Sequence, residues 1–442
     1  MNWTEEQAFD KVEEALNLAG GDDVRVQFSA RRRKNLRYAA NEVTTSGQDD
    51  DHTLTISVSL GQQTGTAVGN QLDTDSIREL AKQAEQLARL SPPDPEFMPS
   101  LGKQTYVTSL SHAADTNPSA TAQGAARCLG AARGRGLVAS GFITSTDEWR
   151  AFGTRNGCRA FQRHNQATVS QTSRTPDGAG SGWHSATARR VEDLDFDRLA
   201  QISMDKAEAS AQPLQTLEPG RYITLLEPSA VANMANLLRY NLNRRSMDEG
   251  RSFLSEHRGD GPLDVKLFPD WIEAYSAPGD PRCPTWSWDG EGRPHGLTRW
   301  IRKGAIRELP CDRFWAQKHG LRSLPSPPNW ILSGKQGSLS ELIARTQRGV
   351  LVTSLWYIRQ VDPRTLEHTG LTRDGLFWIE DGRIAHPLKN MRFNDSPLGV
   401  FANAFDASAS DRAVPRRGGG DAMHAPAILT SDFHFSSVSE AV

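Results

Sequence analysis

Apolar and polar positions recur along this chain with two different periods, and each change of period marks an element. Thr4 with Gln7 forms a capping box, and Ala8, Val12, Ala15, Leu16 and Ala19 follow at helical spacing until Gly20-Gly21, which predicts an opening helix. Val24, Val26 and Phe28 then alternate with polar residues, as do Leu54, Ile56, Val58 and Leu60, the period-two pattern of strands with one buried face. Ser76 and Glu79 predict the cap of a second helix, whose buried stripe is Ile77, Leu80, Ala81, Ala84, Leu87 and Ala88. SPPDPEFMPS, from Ser91 to Ser100, is too rich in proline to continue that helix and predicts a linker.

A similar mixture follows. A helix is expected from Ala120 to Ala132, then strands at Leu137 to Thr144 and Arg159 to Val169 joined through an Asn156-Gly157 turn, then a helix from Leu194 to Ala209. After Pro219-Gly220, the strand RYITLLE leads into the helix SAVANMANLLRY, with Ala230, Val231, Met234, Leu237 and Leu238 on one side. The remainder is dense in strands and turns, broken by a helix that Ser338 and Glu341 cap. In LTRDGLFWIEDGRI, from Leu371 to Ile384, five strand-like residues stand between the turns Asp374-Gly375 and Asp381-Gly382, with Phe377 and Ile379 facing opposite to Leu376 and Trp378. The fold class is α+β: an N-terminal part with helices packed on a sheet, then a mostly antiparallel, β-rich C-terminal domain. The expected units are residues 1–95, 96–212 and 213–442, with an irregular insertion near 262–328. CPTWSWDGEGRPHGLTRW in that insertion predicts loops, its aromatics buried beneath them in preference to an exposed contact for a partner or peptide.

At 442 residues the chain exceeds a single core. A formal net charge of -2 argues against holding phosphate backbones, so no nucleic-acid partner is expected. ARRRKN, from Ala30 to Asn35, is the one dense basic run and reads as a solvated strand edge guarded by charge. No apolar run approaches the roughly 20 residues that span a bilayer. The acidic start MNWTEEQAFDKVEEA lacks the pattern of a secretory signal, so no membrane partner and a cytoplasmic location are expected. Cys128, Cys158, Cys283 and Cys311 lie far apart with no C-x-x-C pair, which suits reduced thiols.

A helical zinc-peptidase site needs two imidazoles one turn apart and a glutamate beside them to take a proton from the bound water. This sequence has no His-Glu dipeptide, and its two closest histidines, His424 and His434, are too far apart to share a helix face. Cys283 with His295, or Cys311 with His319, could be imagined as nucleophile and base, but both cysteines adjoin prolines and neither lies at a predicted helix start. RRGGGDA, from Arg416 to Ala422, lacks the lysine and the strand-to-helix setting of a phosphate cradle and reads as a flexible loop.

GVLVTSLWYIRQVDPRTLEHTGLTRDGLFWIEDGRIAHPLKNMRFNDSPL, from Gly349 to Leu398, closely resembles the most recognisable segment of the TldD/PmbA family, cytosolic peptidase proteins also described as modulators of DNA gyrase. NLRYAANEVTTSG and LDTDSIRELAKQAEQLARLSPPDPEF are similar to the family's first domain, and TSTDEWRAFGTRNG to its middle domain. The ending APAILTSDFHFSSVSEAV is similar to the C-terminus of the PmbA (TldE) branch, so the resemblance covers nearly all the chain outside Pro262 to Pro328. In the TldD kind of subunit, the resemblance implies, the helix after the strand matched by RYITLLE carries HExxxH, whose histidines bind zinc. Placed by the downstream RSFLSEHRGD, that motif falls at Ala235 to Tyr240, which here read ANLLRY. Ala235 and Tyr240 replace the ligands and Asn236 the base, so no catalytic, metal or cofactor-binding residue carries over. The resemblance therefore implies a metal-less PmbA/TldE-type subunit that binds no cofactor itself and forms a heterodimer with a zinc-bearing TldD-type partner, cutting unfolded or leader peptides. Its strands would pair with the peptide main chain, and the segment between Asp374 and Gly382 would be scaffold. The alternatives are a homodimeric, non-catalytic peptide-binding or adaptor protein, and a peptidase working through Cys283 or Cys311.

Overall fold

The computed structural model describes residues 2–108, 118–259, 262–413 and 423–439. The glycine-rich RRGGGDA lies outside the described residues. Thr4 opens the fold as its spacing to Gln7 requires. Its hydroxyl accepts from the Gln7 amide and its own amide donates to Gln7 Oε1, each at 3.1 Å, which closes the capping box of α1 (Glu5–Leu18). There follow β1 (Asp23–Ala39), β2 (Glu42–Leu60), β3 (Gln63–Gly69), α2 (Thr74–Leu90), α3 (Pro118–Gly134), β4 (Val138–Thr154), β5 (Arg159–Arg174), β6 (Ser181–Ala188) and α4 (Phe196–Ala209).

The cap of α2 is Asp73, whose carboxylate accepts from the Ser76 amide at 3.0 Å, so the helix begins before Ser76. Leu87 departs from its expected stripe and is 46% exposed. The cause is close packing: a Cβ on Gly65 of β3 would stand 2.2 Å from both Ala84 O and Ala88 N, so α2 presses its alanines onto the strand and turns Leu87 outward.

The six strands form one antiparallel sheet in the order β3-β2-β1-β4-β5-β6, to which residues 1–95 and 96–212 contribute three strands each. Val24, Val26, Phe28, Leu54, Ile56 and Val58 bury one end of its inner face with α1 and α2. Leu36, Tyr38, Ile143 and Val169 bury the other end with α3 and α4. The basic run is central, not an edge, because β1 pairs with β2 on one side and β4 on the other. Arg31, Arg32 and Arg33 stand opposite Asp51, Asp50 and Asp49, with ion pairs of 2.8 Å (Arg32–Asp50) and 3.0 Å (Arg33–Asp49). Opposite charges across the ladder let a dense cationic run sit inside a sheet.

The C-terminal part comprises β7 (Gly220–Leu226), α5 (Pro228–Tyr240), α6 (Arg244–Asp248), β8 (Val265–Lys266), β9 (Ala274–Ser276), β10 (Thr298–Arg302), β11 (Ala305–Ile306), α7 (Arg313–His319), β12 (Ile331–Leu332) and α8 (Leu339–Arg345). It ends with β13 (Arg348–Asp362), β14 (Glu367–Glu380), β15 (Arg383–Pro387), β16 (Met391–Asp395), α9 (Pro397–Ala402), β17 (Ala404–Ala407), β18 (Asp411–Ala413), β19 (Met423–Ala425) and β20 (Ile428–Val438). Its main sheet runs β13-β7-β20-β16-β14-β15, and β13 also pairs with β14, so the strands from β13 to β14 close on themselves. The fold is thus α+β with a β-rich C-terminal domain, and among the described residues no helix is long and apolar enough to cross a membrane.

Only one of the two Asp-Gly pairs is a turn. Asp381 and Gly382, at φ 48° and 73°, join β14 to β15. Asp374 and Gly375 lie inside β14, where together they oppose the single residue Thr353 of β13, which makes a bulge. Beyond it the alternation holds: Leu376 joins the main core, against which Trp378 packs, while Phe377 and Ile379 face the core beneath α8.

The insertion is more regular than its composition predicts. Its short strands join a second sheet, β18-β19-β12-β9-β10-β11-β8, and α7 lies within it. The loop between β9 and β10 lies against the outer face of the N-terminal sheet. Gln162 Nε2 donates to Thr285 O at 2.8 Å, Ser287 N donates to Gln162 Oε1 at 2.9 Å, and Tyr106 OH donates to Gly292 O at 2.8 Å. Trp288 is buried with Phe152 and Cys158, and half-buried Trp286 lies 3.9 Å beneath the Arg150 guanidinium. A second tie is the ion pair of Lys206 on α4 with Glu227 before α5, at 2.7 Å, both side chains largely buried.

Two predictions follow from these ties. Lys206→Met leaves the Glu227 carboxylate buried beside Thr353 alone, and urea unfolding should show a loss of about 3–5 kcal/mol, largely recovered in Lys206→Met/Glu227→Gln. His295 is buried in the clasping loop, and burial lowers its pKa from 6.5 to about 4, the Asp289 charge opposing this and Arg293 assisting it. The unfolded chain therefore takes up this proton before the folded one does. Its contribution is constant above pH 6.5 and turns destabilising as pH falls toward 4, by up to about 3 kcal/mol. Unfolding curves at a series of pH values should show that slope, and His295→Gln should flatten it.

Candidate functional site

Helix α5 holds the positions that the family resemblance singles out. Proline at its first position supplies a preset φ, and Glu227 precedes it in extended conformation. The Glu227 amide donates to Val352 O at 3.0 Å, while its carboxylate accepts from Lys206 and, at 3.2 Å, from Thr353 Oγ1. The N-terminus of α5 is therefore fixed to both β13 and α4. Ala230, Val231, Met234 and Leu238 bury its inner face in the main core, as their spacing predicts. Asn233 Nδ2 donates to Ser229 O at 3.1 Å.

Exposure rises steadily around the C-terminal turn. With about 100° per residue, Ala235, Arg239, Asn236 and Tyr240 follow one another around the helix. They go from 1% exposed at Ala235 and 5% at Arg239, through half-buried Asn236, to 66% at Tyr240. The Asn236 carboxamide oxygen and Arg239 Nη1 are buried without a hydrogen-bond partner among the described residues, while Arg239 Nη2 donates to Tyr240 OH at 3.0 Å and its guanidinium lies 4.8 Å from that ring. A methyl, a carboxamide and a phenol stand where a zinc site would need two imidazoles and a carboxylate, and a neighbouring cation would repel the metal. The residues present do not fit zinc. Among the described residues no group of three or more His, Cys, Asp or Glu is arranged to hold a metal ion.

The other sequence candidates are scattered. His424 lies on β19 in the short-strand sheet, and His434 lies on β20 with Nδ1 3.1 Å from Asn394 O. Cys283 and His295 both lie in the loop between β9 and β10, where Cys283 packs with Ile331 and Tyr275 and the His295 amide donates to Ser287 O at 2.8 Å. Cys311, against expectation, does precede a helix: Asp312 caps α7. The position does not activate it, because burial first and the Asp312 charge second push its thiol up to about 11. His319 is at the far end of α7, about 10 Å along the axis. Its ring lies tilted against that of Trp315, with the ring centroids 4.3 Å apart.

Sequence reading missed two cavities between the halves of the molecule. One, of about 430 Å³, is lined by Asp23, Arg25, Glu96, Arg245 and Arg313, with Arg245 bound to Glu96 at 2.6 Å. The other, of about 380 Å³, lies between Gln27, Arg150, Trp286, Trp288 and His295. Their walls come from segments more than a hundred residues apart, and the tryptophan run was the only local signal.

Residues 219–437 match the PmbA/TldA metallopeptidase C-terminal domain, and residues 24–88 match PmbA/TldA metallopeptidase domain 1. A metalloprotease PmbA homolog of Buchnera aphidicola subsp. Acyrthosiphon pisum is 26% identical over 152 residues, which is 33% of this chain and 33% of that relative. The match thus spans a third of that relative's length. TldE from Thermococcus kodakarensis has the same fold, with a TM-score of 0.80 at 16% identity over 98% of this chain and 99% of that one. A Thermotoga maritima protein described as a modulator of a DNA gyrase gives 0.82 at 15% identity, over 96% of this chain and 99% of its own. With both domain matches in chain order on this architecture, the chain belongs to the TldD/PmbA metallopeptidase family.

Proposed function

We propose that this chain is the non-catalytic subunit of a heterodimeric zinc metalloprotease that processes unfolded or leader peptides in the cytoplasm. A TldD-type partner supplies the HExxxH helix and the zinc, and this chain supplies a wall of the shared cavity. The observation that carries the reading is the donor set on α5: Ala235 is sealed in the core, and Asn236 and Tyr240 offer no strong zinc ligand. Four buried cysteines, none of them in a disulfide, suit a reducing compartment. Among the described residues the first part of β15 pairs with β14 alone, while Gln215 covers its end by donating to Pro387 O at 3.1 Å. The short edge that is left suits the main chain of an extended peptide, a mode of binding indifferent to most side chains.

Reconstitution tests this. Co-expressed with an HExxxH-bearing relative from the same genome, the chain should elute as a mixed dimer by size exclusion with light scattering, and the pair should cleave unfolded casein when neither chain does alone. Metal-dependent cleavage by this chain alone, or homodimers only, would contradict it. A further outcome is expected at Ala235. Because its methyl is packed, Ala235→His should lower stability by about 1–3 kcal/mol in thermal or urea unfolding, with no zinc-dependent recovery.

A further inference from the structure

The insertion carries a groove that neither the closed C-terminal sheet nor the family assignment explains. Its volume is about 490 Å³, and its walls include Leu297, Arg299, Arg302, Lys303, Arg307 and Arg322. Glu308 is the one acidic residue on them, against five cations. Two cations are matched by acids outside the lining: Arg307 by Asp264 at 2.8 Å, and Arg299 by Glu273 at 3.9 Å. Arg302, Lys303 and Arg322 are exposed, with no ion-pair partner among the described residues.

The fold holds these charges together. Trp300 is buried on β10, where its Nε1 donates to Ser276 Oγ at 2.9 Å, and this leaves Arg299 and Arg302 outward on either side. Lys303 and Gly304 turn the chain into β11 at φ 48° and 69°. Glycine is required there, since a Cβ on Gly304 would stand 2.0 Å from Phe268 O. Converging like charges without partners costs folding free energy by repulsion. Leu297, 62% exposed, adds an aliphatic contact to the same lining.

We propose that this groove binds an acidic peptide segment, a short run of Asp and Glu with an aliphatic residue among them. Guanidinium forks match carboxylates bidentately, and Leu297 matches the aliphatic side chain. A nucleic acid fits less well. No aromatic side chain lines the groove to stack a base, and beyond the groove a chain of net charge -2 offers little to a long polyanion. This site goes beyond the proposed protease role and is tested on the isolated chain, so the two stand or fall separately.

Fluorescence anisotropy with a labelled synthetic peptide of alternating Glu and Leu provides the test. The full chain should bind it, and Arg302→Glu/Lys303→Glu/Arg322→Glu should weaken binding at least about tenfold. Raising salt to about 0.15 M should weaken it as well. Lys82→Glu/Arg89→Glu, exposed on α2, should leave binding unchanged. Circular dichroism checks that the reversed variant folds. If it does not, Arg302→Gln/Lys303→Gln/Arg322→Gln should still show a smaller loss. Absence of binding, an equal loss in the α2 variant, or tighter binding of a single-stranded oligonucleotide of equal charge would overturn the proposal.

Discussion

The double pairing of β13 is the constraint on which the C-terminal domain depends. Its backbone bonds β7 in parallel and β14 antiparallel, so the sheet closes and β13 presents no free edge along that pairing. Closure places Val350 and Val352 with Leu376, Phe393, Phe433 and Phe435 in one core, and α5 buries its inner face in the same core. The bulge at Asp374-Gly375 belongs to this arrangement, because it lets β14 follow β13 while keeping Leu376 and Phe377 on opposite faces.

Helix α5 is consequently set from two directions. β13 receives its first turn through Val352 and Thr353, and α4 reaches it through Lys206. By resemblance, this helix is the one expected to carry the zinc motif in the TldD kind of subunit, and the inner of the matched positions, Ala235, is a buried methyl. The helix serves as part of the core. The insertion does the corresponding work on the other side, where Thr285, Ser287, Trp286 and Trp288 hold the N-terminal sheet against the C-terminal domain.

Much of this was legible because it is local. The capping boxes at Thr4 and Ser338, the period-two strands and the stripe of α5 depend on residues a few positions apart. Three of the departures involve a distant partner. An Asp-Gly pair looks alike in a turn and in a bulge, and only Thr353 across the ladder decides which. The ARRRKN run looked like an edge because its neutralising aspartates come eighteen or so residues later, and Leu87 looked buried because Gly65 was not known to draw α2 so close. Strands of two or three residues in the insertion are too short to show any period. For the candidate site, Ala235, Asn236 and Tyr240 were found by likeness to a family motif. The gradient of burial around them, and the pairing of Arg239 with Tyr240, follow from three-dimensional packing alone.

Calorimetric titration of zinc into the purified chain bears most directly on whether α5 can hold a metal. No stoichiometric binding is expected. One high-affinity site per chain, lost when Asn236 and Tyr240 are replaced by alanine, would mean that these residues ligate an ion after all and that the subunit is not dependent on a partner for its chemistry.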